Sequence, residues 1–245
     1  MSPGAGGSLL AMVRAGPFED ADRVRVLDGA LGAFLDYGIR RTTMGEIAKR
    51  SGVSPATLYR RFAQKTDVVE AVGLREVHRF LADVDRRVDR TLGADDQIVE
   101  LYVAFLGGLR RNELLARLLV TEPETVLPLL TVRGAPVLEL GRAFLVEVIE
   151  RLQDGGTLVP YDAEPVAEVV ARVALSMVLT PDTTIPVDDD DRARRFARRH
   201  ITAVFHGRTG TGPDPASGDL SEGTPRGGPH RPRIETPPGA SRLRR

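Results

Sequence analysis

Cysteine and tryptophan are both absent from this 245-residue chain. Without cysteine there are no disulfides, no thiol catalysis and no Cys-ligated zinc, and a reducing compartment such as the cytoplasm is expected. Aromatic residues make up 5% of a sequence that is 42% hydrophobic, so a core must be built mainly from Leu, Val and Ala. No apolar run approaches the roughly 20 residues that span a bilayer, so no membrane partner is expected. The patch at residues 9–13 is followed by Arg14 instead of being preceded by a basic segment, which does not make a secretion signal. No stretch alternates apolar and polar residues for long enough to argue a strand. Charge of neither sign is in excess, with 34 cations against 34 acids.

Chemistry-bearing patterns are equally scarce. The histidines are His78, His200, His206 and His230, and none has a second histidine at metal-ligand spacing. The acidic run at residues 188–191 precedes a helix, where carboxylates complement the helix dipole, and Arg192, Arg194 and Arg195 lie beside it. No Gly-rich phosphate loop and no nucleophile elbow occurs. The expectation is a protein that is not an enzyme and needs no metal or other cofactor.

What the chain does have is the stretch 42–65, TTMGEIAKRSGVSPATLYRRFAQK. It reads as two short helices and a tight turn. Thr43 caps the first, with Glu46 three residues on in a capping-box pattern. Ile47 and Ala48 are its apolar side, and Gly52 ends it. Ser54 caps the second helix and Pro55 occupies its first turn, where a missing N–H is harmless. Leu58 and Phe62 form its inward face. The outward face is Ala56, Thr57, Tyr59, Arg60 and Arg61, small at the tip and cationic behind, which suits a DNA major groove. Between Arg40 and Lys65 there are seven cations and one acid, Glu46. Such a local excess in a neutral chain is an electrostatic footprint.

Residues 22–74 resemble the DNA-binding domain of the TetR/AcrR family of bacterial repressors. The likeness rests on a first helix ending at Tyr37–Gly38, then TTMGEIAKRSGVS, PATLYRRF, and Lys65 before a long helix. It covers roughly a fifth of the chain. It implies that Thr43 donates to phosphate, that Pro55, Ala56 and Thr57 face base edges, and that Tyr59, Arg60, Arg61 and Lys65 hold phosphates. The family often has histidine where this chain has Arg61, which makes the clamp here more salt-dependent.

Around that stretch the chain reads as follows. Residues 1–17 form a flexible arm rich in Gly, Ser and Ala. Asp20 or Asp22 caps a first helix running to about Tyr37, with Val24, Leu27, Leu31, Phe34 and Leu35 inside. A long helix over 66–90 links head to body, and its tilt is the expected lever of control. Lys65 at its start conflicts with the helix dipole, and a phosphate there would resolve the conflict. Further helices are expected over 95–110, 112–121, 123–130, 137–152, 163–179 and 191–205. The helix 163–179 is apolar on two sides, so one side wants a partner subunit. Residues 207–245, with seven arginines and four acids among prolines and glycines, read as a disordered tail.

The expected fold is all-α. A three-helix helix-turn-helix DNA-binding domain (18–64) precedes a helical ligand-binding and dimerisation bundle (65–206). The expected function is a ligand-responsive homodimeric regulator, most simply a repressor. Its partners would be a double-stranded operator, a second copy of itself and a small apolar effector. Candidate effector walls are Tyr102, Phe105, Leu118, Leu119, Leu140, Phe144 and Val148. Candidate dimer residues are Ala167, Ala171, Leu175, Val178, Phe196, His200 and Ala203. Arg117 and Glu122 read as solvated charges near a helix end. The competing reading is a ligand-independent architectural or partner-recruiting protein with the same head and a solid body.

Overall fold

Every regular element among the described residues is helical, and most begin or end on a local signal that the sequence carries. The computed structural model describes residues 21–180 and 182–206; the arm 1–17, the cap at Asp20 and the tail 207–245 lie outside them. Helix α1 (Ala21–Tyr37) stops at Gly38, whose φ of 82° is the left-handed conformation that glycine accepts freely. Helix α2 (Met44–Ser51) starts on Thr43, whose hydroxyl accepts the Glu46 amide at 3.2 Å, and ends at left-handed Gly52. Helix α3 (Pro55–Arg61) starts on Ser54, which accepts the Thr57 amide at 3.1 Å. Helix α4 (Lys65–Arg86) follows, starting one residue before and ending four residues before the expected 66–90.

The body continues with α5 (Ala94–Arg111), α6 (Glu113–Thr121), α7 (Pro123–Leu130), α8 (Ala135–Asp154) and α9 (Ala163–Leu179). The last stretch is α10 (Asp190–Phe196), a π-helical turn (Ala197–Ile201) and α11 (Thr202–Phe205). An uninterrupted helix was expected over 191–205. The π turn inserts extra backbone per turn there and shifts the residues after it around the axis.

Two cores hold these helices. The body core packs Phe144, Leu145, Val148 and Ile149 of α8 against Ala163, Ala167 and Ala171 of α9, with Leu81 and Val84 of α4 and Ile98 and Leu101 of α5. Alanines on α9 let it lie close to α8, and each buried Ile or Phe contributes about 1.5–3 kcal/mol. Asp85, buried at the far end of α4, is met by Arg90 at 2.6 Å and Arg151 at 3.6 Å. The head core contains Val26, Leu27, Phe34, Ile47, Leu58, Phe62 and Val68, and it also takes in Leu118 of α6 and Val126 of α7. The head is therefore rooted in the body through the same hydrophobic cluster.

Helices α1 and α2 approach closely at Gly29. A β-carbon there would fall 2.2 Å from Ser51 Oγ and 2.9 Å from the Ser51 backbone nitrogen. The smallness that permits this crossing sits on α1 at Gly29.

Candidate nucleic-acid interface and ligand cavity

Helix α3 carries one fully buried residue, Leu58, and Phe62 just past its end is 4% exposed. These two pin the helix to the head core. The remaining surface turns outward: Pro55, Ala56, Tyr59 and Arg60 are exposed and Thr57 is half-buried. Thr57 Oγ1 lies 2.9 Å from Ser54 Oγ, so the capping interaction orients the hydroxyl at the helix tip. Thr43 is exposed at the start of α2, and its Oγ1 already accepts the Glu46 amide. Its neighbour Thr42 is buried and donates to the Gly38 carbonyl at 2.7 Å. Adjacent threonines thus have different roles, one filling the core and one capping at the surface.

The positive charge is smaller than a residue count implies. Arg50 pairs with Asp36 at 2.6 Å, Arg40 lies 3.4 Å from Glu124, and Arg61 lies 3.6 Å from Asp22. Arg61 is consequently directed toward α1, in contrast to the outward phosphate clamp expected of it. None of the ion pairs among the described residues involves Arg41, Lys49 or Arg60. Those three and Tyr59 are all exposed.

Lys65 departs most from expectation. Its Nζ donates to the carbonyls of Ile39, Arg40 and Thr42 at 3.0, 3.2 and 3.0 Å. An ammonium has three N–H donors, and all three are used inside the protein. The dipole conflict at the start of α4 is relieved internally, by the lysine turning back and by Asp67, which accepts from the Gln64 backbone amide at 3.1 Å. Lys65 is a clasp on the 39–42 turn, with no donor left for phosphate.

A cavity of about 1080 Å³ opens among α4 to α9, with Leu31, Phe34 and Leu35 of α1 and Val204 and Phe205 of α11 also on its wall. Tyr102, Phe105, Leu118 and Phe144 line it as expected. Leu119, Leu140 and Val148 do not: Val148 belongs to the α8 core, Leu140 packs against that core, and Leu119 packs against the head core. Walls that the sequence did not single out include Phe80 and Val77 of α4 and Leu114 and Leu115 of α6. Phe80 meets Phe105 edge-on with ring centroids 5.6 Å apart. Burial pushes the Tyr102 hydroxyl up to about 12, so it stays protonated, and it has no hydrogen-bond partner among the described residues. Removing that oxygen is expected to stabilise the protein. Tyr102→Phe should raise Tm by about 2–4 °C in a thermal melt, since an unsatisfied buried hydroxyl costs about 1 kcal/mol or more. A lower Tm would mean that the hydroxyl is bonded.

Of the two charges expected to be solvated, Arg117 is exposed and Glu122 is buried. Arg117 donates to the Phe34 carbonyl at 2.9 Å, and Glu122, 7% exposed, accepts the Arg40 amide at 2.7 Å.

The expected dimer residues divide. Ala167 and Ala171 are 0% and 6% exposed and are spent on packing against α8 within the same subunit. Leu175 and Val178 are half-buried and line the cavity. Phe196 is half-buried and stacks on Tyr102 at 6.1 Å. His200 and Ala203 remain exposed. Val169 and Val173 of α9 and Val204 of α11 are 54%, 45% and 40% exposed, and they too border the cavity.

The family model of the bacterial regulatory proteins of the TetR family matches residues 26–72, the head and the first part of α4. A model of the tetracyclin repressor C-terminal domain matches residues 95–198. The HTH-type transcriptional regulator AlkX of Mycobacterium tuberculosis is 27% identical over 202 residues, 77% of this chain and 90% of its own. An uncharacterized HTH-type transcriptional regulator of the same species is 31% identical over 163 residues, 64% of this chain and 80% of its own. Among solved structures, the TetR family repressor AlkX of a Dietzia strain aligns with a TM-score of 0.61 at 20% identity, covering 78% of this chain and 98% of that one. The transcriptional repressor QsdR of R. erythropolis aligns with a TM-score of 0.58 at 19% identity, covering 78% and 96%. At these identities the structural likeness speaks for the fold. No helix among the described residues is long and apolar enough to cross a membrane.

Proposed function

Because this chain belongs to the TetR family of bacterial regulatory proteins, which are transcriptional regulators and not enzymes, we propose that it is a ligand-responsive homodimeric repressor. The observation that carries the DNA-reading part is the tip of α3, held from behind by Leu58 and presenting exposed Pro55, Ala56, Tyr59 and Arg60. Pro55, Ala56 and Thr57 face base edges in the major groove. Tyr59, Arg60, Arg41 and Lys49 hold flanking phosphates, and the exposed Thr43 at the start of α2 is within the same footprint. Arg61 contributes less, because Asp22 holds it against α1.

The dimer forms across α9 and the final helices. Val169, Val173 and Val204 border the cavity yet keep 40–54% of their surface exposed, and a second copy of the chain covers that exposed area. His200 and Ala203 lie within that interface.

The effector enters the body cavity, whose volume suits a small molecule and whose walls are chiefly Leu, Val and Phe. This cavity favours a ligand-responsive regulator over an architectural protein with a solid body. An apolar effector that prefers one of two head arrangements weakens operator binding by its differential affinity.

Footprinting the DNA that flanks the gene, with and without a series of long-chain alcohols and alkanes, tests this reading. The expected result is a two-fold symmetric protection, with half-sites about 34–36 Å or a multiple apart, that one of the compounds abolishes. Val173→Glu should give a monomer in sedimentation and lose the footprint. A footprint retained by a monomeric variant would refute the paired-head mechanism.

A further inference from the structure

The junction between α6 and α7 contains a buried carboxylate that the DNA-reading chemistry does not use. Glu122 is 7% exposed, yet it lies 82 residues away from the turn that it touches. One oxygen, Oε2, accepts the Arg40 amide at 2.7 Å. The other, Oε1, occupies the space above Gly38, where a β-carbon would fall 2.2 Å from it. Gly38 is left-handed at φ 82°, so the turn offers both the missing side chain and the inward amide that a carboxylate needs.

The surroundings extend the same contact. Arg117, one turn earlier on α6, donates to the Phe34 carbonyl at the end of α1. Leu118 and Val126 flank Glu122 in sequence, and both are buried in the head core. Leu114, Leu115 and Leu118 of this segment also line the cavity. On the far side of the turn, Lys65 holds the carbonyls of Ile39, Arg40 and Thr42. The 38–42 turn, from which α2 starts, is thus gripped through its amide by the body and through its carbonyls by α4.

We propose that Glu122 is a positioning residue that fixes the angle of the DNA-reading head on the body, acting through the Gly38–Arg40 backbone. It touches no DNA. Its carboxylate holds the turn that sets where α2 and α3 begin, and it is attached to a helix junction that forms the cavity wall. It takes over the role of control point that the sequence assigned to the tilt of α4. The proposal rests on the head being a DNA reader and on the proposed dimer, and the first measurement below needs neither.

The test compares Glu122→Ala, Glu122→Gln, Gly38→Ala and the exposed control Glu124→Ala in the full chain. Amide hydrogen exchange in the free protein comes first. Glu122→Ala should speed exchange of the Arg40 amide at least tenfold. Glu122→Gln, which keeps an acceptor oxygen, should hold it near the wild-type rate. The second readout exploits the absence of cysteine: Ala56→Cys gives a single attachment point per subunit for a spin label. The label-to-label distance distribution should be narrow in wild type and Glu122→Gln, and broad in Glu122→Ala and Gly38→Ala. The third is affinity for a duplex selected by the wild-type protein from a random pool. It should fall about tenfold in Glu122→Ala, stay within threefold in Glu122→Gln, and keep an unchanged salt slope in both.

A merely structural role would lower Tm while leaving the distance distribution narrow, and that result overturns the proposal. An Arg40 exchange rate unaffected by Glu122→Ala overturns it as well. If the wild type selects no duplex while the exchange and distance results hold, the positioning role stands and the DNA reading fails.

Discussion

Leu58→Ala should remove DNA binding while leaving the body folded. Leu58 is 0% exposed and is the buried residue of a seven-residue helix. Truncating a fully enclosed leucine costs about 2–5 kcal/mol through lost burial and the cavity left behind. A helix of two turns has no stability of its own in water, so α3 depends on this anchor to persist as a helix. Affinity for the selected duplex should therefore fall by well over tenfold, because Pro55, Ala56, Thr57 and Tyr59 lose their shared frame. Melting should show an early loss assigned to the head, with the α8–α9 core retained to higher temperature. Leu58→Met, similar in volume, should cost under about 1.5 kcal/mol and keep binding. Anisotropy titration and calorimetry together decide the matter. An alanine variant that binds within threefold of wild type would show that α3 is held by something other than its inward face.

Lys65→Ala is the second large effect, and its signature separates two roles. A phosphate-holding lysine, once removed, lowers the slope of log affinity against log salt by about one. A lysine whose three donors are spent on Ile39, Arg40 and Thr42 leaves that slope unchanged and lowers stability instead. Hydrogen bonds from a charged donor contribute about 1.5–3 kcal/mol each when buried, and this group is half-exposed, so a total near 2–3 kcal/mol is expected. For a chain of this size the melting temperature should drop by about 4–12 °C. Lys65→Arg should not rescue fully, because a planar guanidinium cannot direct three bonds to carbonyls around one point. A slope reduced by one, at unchanged Tm, would restore the phosphate role.

How far these features were legible in the sequence follows from their range along the chain. The caps at Thr43 and Ser54, the stop at Gly52 and the inward pair Leu58–Phe62 depend on neighbours within four residues, and they stand where the pattern put them. Lys65 and Glu122 act on partners 25 and 82 positions away, and a lysine before a helix or a glutamate near a helix end carries no mark of such a reach. Helix α9 was correctly read as apolar on two sides. How each side is used was not decidable, because it depends on where α8 lies: Ala167 and Ala171 are buried in the body core, and Val166 and Val170 pack against it as well. The cavity shows the same ambiguity. Apolar periodicity marks Phe144 and Val148 alike, although only Phe144 lines the open space. The π turn at Ala197–Ile201 leaves no local sequence signal, so the register of Phe196 against Ala203 was unreadable.

The cluster that joins Leu118 and Val126 to the reading head has a practical consequence for anyone building hybrid regulators. A transplant cut at residue 64, the natural-looking seam, would strip the donor fragment of Val68, Val72, Leu118 and Val126 and expose the floor beneath Phe34 and Leu58. The transferable unit is discontinuous. It comprises residues 21–72 together with 114–130, and a recipient scaffold that cannot supply a matching second segment will yield a chimera with a molten specificity module.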